Sequence, residues 1–211
     1  MTSSDRFRLI VLRHPREAKS PLGTADLLVR EIPDTLVRTG LSWPNLQAAS
    51  GDESVTAAHW GVLFVGTKAD RKRLLLGSGS GGGRRLVFLS RKGKAVEDDT
   101  SLRESLEGLV LLDGTWRQSK ALWWRNPWLL RLRRVMLNPD APSLYGKLRR
   151  EPRRECLSTF EAAILALREL GRVQEPSVFF EALKAHLDGL AGGTAGPRRS
   201  GTPRSDGQDR R

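Results

Sequence analysis

The chain has 211 residues, enough for one medium domain that buries a hydrophobic core without disulfides or metals. Its 36 Lys and Arg against 24 Asp and Glu give a net charge of +12, which favours polyanionic partners. The single cysteine, Cys156, excludes an internal disulfide and any zinc site that needs two thiolates. The sequence has no apolar run of bilayer-spanning length and no signal-peptide pattern, so we expect a cytosolic protein with no membrane partner.

Composition separates the end of the chain from the rest. Residues 191–211 contain no Val, Ile, Leu or aromatic residue, so they have no apolar surface to bury and we expect a disordered tail. The tail has five Arg and two Asp, which leaves a net charge of +9 on residues 1–190. We therefore expect a single basic domain over residues 1–190 and a disordered basic C-terminal tail over residues 191–211.

Short apolar runs alternate with helical patterns within the predicted domain. The apolar runs predict buried strands at Phe7–Leu12, Gly61–Val65, Leu86–Leu89, Leu109–Leu112 and Val135–Leu137. The helical patterns predict helices at Thr24–Arg30, Ser101–Leu106, Arg117–Trp124, Ser158–Leu170 and Glu175–Leu190. Near-continuous apolar strands that alternate with helices predict an α/β fold, with a mostly parallel sheet flanked by helices.

The first predicted strand is followed at once by polar residues. His14 precedes Pro15, and Glu17 follows two residues later. In open parallel sheets ligands collect at the carboxyl ends of strands, so His14 and Glu17 are candidate site residues. The alternative is a histidine with a purely structural role.

A glycine run divides the middle of the chain. Gly77–Gly83 reads GSGSGGG and is flanked on both sides by Lys and Arg. It contains the spacing G-x-G-x-x-G, but a predicted strand follows where a dinucleotide site needs a helix, and the P-loop ending is missing. A mobile basic loop that closes over an RNA substrate is the alternative interpretation.

Asp113 stands between an apolar run and a predicted helix. The segment Leu109–Trp124 reads LVLLDGTWRQSKALWW, in which Thr115 and Trp116 open the helix. A carboxylate at a strand end is well placed to act as a general base or a ligand anchor. The alternative is that Asp113 starts a turn and caps the next helix. The helix N-terminus would also attract a ligand carboxylate.

A second helix start carries a hydroxyl pair and a carboxylate. Ser158 or Thr159 is typical of an N-cap, and Glu161 stands where it would complete a capping box with Ser158. The alternative, which is compatible with the cap, is that this helix start holds the carboxylate and amino groups of an amino acid.

Three basic clusters favour a surface that contacts nucleic-acid phosphates. They lie between Lys68 and Lys94, between Arg131 and Arg134, and between Lys147 and Arg154. The candidate RNA-binding residues are Arg73, Arg84, Arg85, Arg117, Lys120, Arg149, Arg150, Arg153 and Arg154. Four of the six Trp fall within residues 116–128; most should pack in the core, and one or two are candidates for stacking on a splayed RNA base.

The ordered motifs resemble those of the DTW-domain family. Asp113-Gly114-Thr115-Trp116 resembles the D-x-T-W motif that names the family. His14-Pro15-Arg16-Glu17 with Gly23-Thr24-Ala25 is similar to its early H-P-x-E…T segment, and Ser158–Ala162 to its late S-T-x-E-A motif. The strand Leu86–Ser90 lies where the family has one before D-x-T-W, and the similarity covers roughly residues 7–185.

The resemblance implies a tRNA-uridine aminocarboxypropyltransferase with an α/β fold related to the knotted SPOUT-type methyltransferases. Members transfer the 3-amino-3-carboxypropyl group of S-adenosylmethionine to N3 of a uridine and release methylthioadenosine. On this basis Asp113 is the candidate catalytic base, or orients the uracil imide. The residues expected to bind S-adenosylmethionine are His14, Glu17, Thr115, Trp116, Ser158, Thr159 and Glu161.

The sequence also departs from the family pattern. Many members carry a cysteine cluster, typical of zinc, ahead of the H-P-x-E segment; this chain has one cysteine, so we expect no metal. Two other functions remain open at this point. One is a SPOUT-type RNA methyltransferase, and the other is a noncatalytic basic RNA-binding module whose motifs are only caps and turns.

Overall fold

Strands and helices alternate along the chain in the computed structural model. It describes residues 7–20, 23–63, 85–139, 143–144 and 157–193, with side chains as far as residue 190. Within these residues six strands form one sheet: β1 (Arg8–Arg13), β2 (Thr35–Thr39), β3 (Trp60–Leu63), β4 (Leu86–Leu89), β5 (Gly108–Asp113) and β6 (Arg133–Leu137).

The sheet has the order β2-β1-β5-β3-β6-β4. All neighbours run parallel except β4, which lies at an edge and pairs antiparallel with β6. The prediction of an α/β fold with a mostly parallel sheet is therefore confirmed. The apolar content of β4 predicted a strand but carried no information about its direction.

The helices of the described residues are α1 (Ala25–Glu31), α2 (Leu46–Ser50), α3 (Thr100–Glu104), α4 (Trp116–Arg125), α5 (Thr159–Glu169) and α6 (Pro176–Gly193). Short 3₁₀ turns occur at Glu17–Lys19, Ala57–His59 and Pro127–Arg131. The backbone of α6 continues three residues past the predicted helix end, and residues 194–211 of the predicted tail lie outside the described residues. None of the helices in the described segments is long and apolar enough to cross a bilayer.

Two elements were not predicted from the sequence. The strand β2 reads TLVRT and is half-buried to exposed along its length, so it lacks the continuous apolar run of the inner strands. Its place at the sheet edge beside β1 explains this composition, since only one neighbour covers it. The helix α2 is five residues long, and Asn45 caps it by accepting a hydrogen bond from the Ala48 N–H at 2.8 Å.

Alternate residues of β1 point to two hydrophobic layers. Leu9 and Val11 belong to the layer that contains α1, α5 and α6, whereas Ile10 and Leu12 belong to the layer that contains α2 and the turn Pro127–Arg131. Both sets are almost fully buried. Helices therefore cover both faces of the sheet, which explains why its inner strands are apolar throughout.

Candidate active site at the carboxyl edge of the sheet

The strands β1 and β5 end side by side. They pair in parallel register, with Arg13 opposite Asp113. His14, the residue directly after β1, donates its backbone N–H to the Asp113 carbonyl oxygen at 3.0 Å. The polar segments that follow the two strands in sequence therefore meet at one place, the carboxyl edge of the sheet, as the positions of the motifs predicted.

The carboxylate of Asp113 is buried, with 3% of the residue exposed. Its Oδ1 accepts a hydrogen bond from the Thr159 hydroxyl at 2.6 Å, across 46 positions of sequence. Asp113 does not cap the following helix, because Thr115 is the N-cap of α4. The structure thus joins the D-x-T-W and S-T-x-E-A segments through their side chains.

Gly114 allows the sharp turn between β5 and α4. Its φ is +153°, and a Cβ there would lie 2.8 Å from the Gln118 Cβ. Gln118 in turn accepts the Thr115 N–H through Oε1 at 2.6 Å, and the Ser119 hydroxyl donates to the Gly114 carbonyl at 3.2 Å. A side chain at position 114 would therefore disturb the bonds that hold the start of α4.

The start of α5 forms the predicted capping box. Ser158 Oγ accepts from the Glu161 N–H at 3.2 Å, and the Ser158 N–H donates to Glu161 Oε2 at 2.8 Å. Sequence reasoning missed two further bonds. The Ser143 hydroxyl donates to Oε2 at 2.7 Å, and the Leu144 N–H donates to Oε1 at 2.6 Å. The buried Glu161 carboxylate therefore fixes the 143–144 segment against the helix start.

The H-P-x-E…T segment lies against the same helix. The buried Thr24 accepts the Phe160 N–H on its hydroxyl oxygen at 3.3 Å, so it satisfies one of the free N–H groups at the start of α5. Thr24 was not among the predicted site residues, although it stands in a motif that carries the resemblance. Glu17 is also buried, whereas His14 is half-buried and accepts the Arg16 N–H on Nδ1 at 3.2 Å.

A pocket of about 310 Å³ lies beside α5. Its lining includes the end of β6 at Leu137 and Asn138, the fixed residue Leu144, and Leu157 and Glu161 of the α5 start. This volume is at the lower end of the range for small-molecule sites, and the mixture of apolar and polar walls is typical of them. The first turn of α5 therefore contributes Thr159 to the contact with Asp113 and Glu161 to the lining of a ligand-sized pocket.

The sequence that carries these motifs matches the model of a known protein family. The model of the DTW domain matches residues 1–191. The chain belongs to the DTW-domain family. In this DTW domain the three motif segments that lie far apart in sequence converge on Asp113 and the first turn of α5.

Two curated proteins of the same printed name are similar to this chain. The chain is 32% identical over 166 residues to a Drosophila melanogaster protein named tRNA-uridine aminocarboxypropyltransferase 2. The aligned residues cover 77% of this chain and 56% of that protein. It is 36% identical over 59 residues to a Macaca fascicularis protein of the same name, covering 28% and 20% respectively. The chain thus spans about half or less of the length of the curated relatives that it matches. No solved structure matches it significantly.

The DTW domain presents part of the predicted RNA-binding set on its surface. Arg85, Arg117 and Lys120 are exposed. The other predicted residues, Arg73, Arg84, Arg149, Arg150, Arg153 and Arg154, lie outside the described residues, as does the glycine run 77–83. Among the residues that are described, no group of three His, Cys, Asp or Glu is arranged to hold a metal ion.

Proposed function

We propose that this DTW domain transfers the 3-amino-3-carboxypropyl group of S-adenosylmethionine to N3 of a uridine in tRNA. The observation that carries the proposal is the hydrogen bond between Asp113 and Thr159, which joins two family motifs at the carboxyl edge of the sheet. The family match and the printed name of the fly and macaque relatives support the enzyme class and the tRNA substrate.

S-adenosylmethionine supplies the electrophile, a carbon bonded to a positively charged sulfur. In the proposed reaction a bond forms between this carbon and uridine N3, while the carbon–sulfur bond breaks. The bonding electrons stay on sulfur, which departs as methylthioadenosine, and the N3 proton leaves the uracil. The protein must therefore orient the donor and accept or direct that proton.

Asp113 is proposed to receive the N3 proton or to orient the uracil imide. Its carboxylate stands at the strand end, where Thr159 fixes the position of Oδ1 through a 2.6 Å hydrogen bond. Thr159 is thus a positioning residue for Asp113 in addition to its predicted place beside the donor. A fixed carboxylate loses less orientational freedom on reaching the transition state than a mobile one.

The pocket beside α5 supports the fit of the donor. Its apolar wall suits an adenosyl group, and the Glu161 carboxylate in the same wall complements the ammonium of the aminocarboxypropyl end. Ser158 and Thr159, at the same helix start but outside the lining of this pocket, are proposed to hold that end, and Thr115 and Trp116 are proposed to shape the site from the start of α4. His14 and Glu17 would line the crevice at the end of β1. No metal is part of the proposal.

The basic surface is proposed to hold the tRNA backbone. The helix α4, which begins at the carboxyl edge of the sheet, carries the exposed cations Arg117, Lys120 and Arg125 and contains no Asp or Glu, so this flank of the site carries one sign of charge. The cytosolic location, the disordered tail and the SPOUT-like, knotted path remain predictions. The path between β6 and α5 runs largely outside the described residues.

The proposed function is tested by incubating the protein with bulk tRNA and S-adenosylmethionine labelled in the carboxyl carbon. Label that enters RNA establishes aminocarboxypropyl transfer. A methyltransferase leaves the RNA unlabelled, because the carboxyl carbon remains on the departing S-adenosylhomocysteine. A noncatalytic RNA-binding module binds the tRNA with a steep salt dependence but binds no S-adenosylmethionine in calorimetry, and either result overturns the proposal.

A further inference from the structure

The helix α4 carries an aromatic side chain that its packing does not use. Trp124 is 72% exposed, although α4 is held on the domain by the buried Leu122 and the half-buried Trp123. We propose that Trp124 is a stacking platform for an unpaired base of the substrate RNA, flanked by cations that bind the adjacent phosphates. This inference rests on the proposed function, since it deepens how the same site recognises its substrate.

Four of the five exposed residues of α4 form one stripe. At 100° per residue, Trp116, Arg117, Lys120 and Trp124 fall within an arc of about 100° on the helix surface. All four are exposed, whereas Ser119 and Leu122 face the domain and are buried. Two indole rings therefore flank two cations along a single face, which is the composition of a single-strand binding surface.

The charge of the stripe selects a polyanion as its occupant. Neither Arg117 nor Lys120 forms an ion pair with any acidic residue in the described part of the chain. The sequence from 114 to 139 contains no acidic residue that could neutralise them. An exposed indole among unneutralised cations complements a nucleobase attached to phosphates, because every base has an apolar face for stacking.

The platform is held rigidly. The buried Asn126, directly after α4, donates to the Leu122 carbonyl at 2.8 Å and to the Leu41 carbonyl at 3.1 Å. Its Oδ1 accepts the Trp43 N–H at 2.8 Å. These bonds tie the end of α4 to the segment after β2, so Trp124 projects from a fixed helix end and stacking orders little of the protein.

The position of Trp124 defines which base it would meet. It lies eight residues beyond Trp116, about 12 Å along the helix axis, and Trp116 belongs to the D-x-T-W motif. At about 3.4 Å per stacked nucleotide this separation corresponds to a few nucleotides. The platform would therefore contact a neighbour of the target uridine, and its effect should vanish for an RNA too short to span both places.

The test compares Trp124→Ala with wild type in binding a single-stranded oligouridylate long enough to span α4, and a uridine dinucleotide. We expect the variant to bind the longer RNA about 5- to 150-fold more weakly, the usual range for one lost base stack, and the dinucleotide equally well. The slope of log affinity against log salt should stay unchanged, whereas Lys120→Gln should lower it by about 0.7. Trp124→Phe should restore most of the affinity, and Trp124→Leu should not.

The matched control is Val178→Ala, which truncates another exposed apolar side chain, on α6, and should leave RNA binding unchanged. Equal affinity of Trp124→Ala and wild type for the longer RNA overturns the proposal. So does rescue by leucine, or a loss of affinity accompanied by a change in sedimentation, which would assign the stripe to contact between copies of the chain.

The proposal and the proposed function fail in different ways. If wild-type protein transfers no carboxyl label but Trp124→Ala weakens RNA binding, the proposed function is wrong and the platform stands. If wild type transfers label and Trp124→Ala has the same KM for tRNA as wild type, the platform is wrong and the function stands. For tRNA the expected change is in KM, with kcat preserved at saturating substrate, because Trp124 does not touch the reacting atoms.

Discussion

Asp113 and Asp99 are both buried and hydrogen-bonded in this domain, but their side-chain partners differ. Asp113 and Asp99 are 3% and 5% exposed, and both accept short side-chain hydrogen bonds. Asp99 receives two donors from one guanidinium, with Arg103 Nε at 2.8 Å from Oδ1 and Arg103 Nη2 at 2.9 Å from Oδ2. Asp113 receives the neutral hydroxyl of Thr159 on Oδ1.

The pair of Asp99 and Arg103 is a structural tie. The same guanidinium donates to the Glu169 carbonyl at 2.7 Å and to the Leu86 carbonyl at 3.0 Å. It therefore connects α3 to the end of α5 and the start of β4, and it satisfies a carbonyl that the helix end leaves without an internal partner. Both partners of this pair are committed to holding elements together.

Burial and hydrogen bonding alone therefore do not identify a functional carboxylate. What distinguishes Asp113 is its place, at the end of a central parallel strand and between the first turns of α4 and α5. The following predictions test whether the two aspartates differ in this way.

The largest stability effect is expected when the structural tie is broken. Arg103→Met leaves Asp99 as a buried carboxylate without its guanidinium and removes two bonds to carbonyls. We expect a loss of about 2–3 kcal/mol in the free energy of unfolding, below the range for a fully buried pair because Arg103 is 26% exposed. Urea denaturation measures the loss.

The matched control for this variant adds Asp99→Asn, which also removes the charge of the carboxylate that Arg103 binds. The double variant should recover part of the lost stability, and both variants should transfer label at the wild-type rate while folded. An unchanged free energy of unfolding in Arg103→Met, or a large loss of activity in the folded protein, would contradict the structural assignment.

On the functional side, Thr159→Val removes the donor to Asp113 while nearly preserving the volume of the side chain. We expect kcat to fall about 10- to 100-fold, as for a lost hydrogen bond to a charged group, with a much smaller change in KM for tRNA. Thr159→Ser keeps the hydroxyl and should restore most of kcat. If the serine variant is as impaired as the valine variant, the hydroxyl does not position Asp113.

Gly114 tests the turn that carries the motif. Gly114→Ala places a Cβ 2.8 Å from that of Gln118 in a backbone conformation that L residues rarely adopt. Gly171 also has a positive φ, but a Cβ there meets nothing within 4 Å, so Gly171→Ala is the matched control. We expect Gly114→Ala to reduce the free energy of unfolding by about 1 kcal/mol more than Gly171→Ala, because of the additional strain. Its melting temperature should be correspondingly lower. Equal effects would show that the turn tolerates a side chain.

The smallest effect is expected far from both aspartates, at Asp52. Hydrogen bonds from Ser54 and Arg8 lower the pKa of Asp52 from 3.8 to about 2. Because the folded pKa is depressed, this contribution to stability is present above pH 3.8 and is lost as the pH falls towards 2. Asp52→Asn should therefore be slightly less stable than wild type at neutral pH, and the difference should disappear in acid. A difference independent of pH would contradict this assignment.

Much of the fold could be predicted because burial leaves a strong pattern. The inner strands β1 and β5 are apolar runs followed by polar residues, so the place of Asp113 at the carboxyl edge of the sheet could be predicted from the sequence, whereas its contact with the start of α5 could not. The capping box of Ser158 and Glu161 was likewise visible in residue spacing.

The rest depends on contacts that sequence spacing does not encode. The bonds from Ser143 and Leu144 to Glu161 join residues 18 and 17 positions apart, with no periodicity between them. Thr24 accepts an N–H from a residue 136 positions away, and Arg103 binds the end of α5 from 66 positions away. An edge strand with one neighbour, such as β2, does not need an apolar sequence either.

The proposed function assigns chemistry to Asp113, whereas the contacts of Asp99 hold elements of the fold together. The most direct test measures transfer of carboxyl label to tRNA by Asp113→Asn and by Asp99→Asn, together with their binding of S-adenosylmethionine by calorimetry. We expect Asp113→Asn to lose about 100- to 10,000-fold in rate with donor binding still measurable, and Asp99→Asn to lose stability but little rate. Near-normal transfer by folded Asp113→Asn would contradict the account.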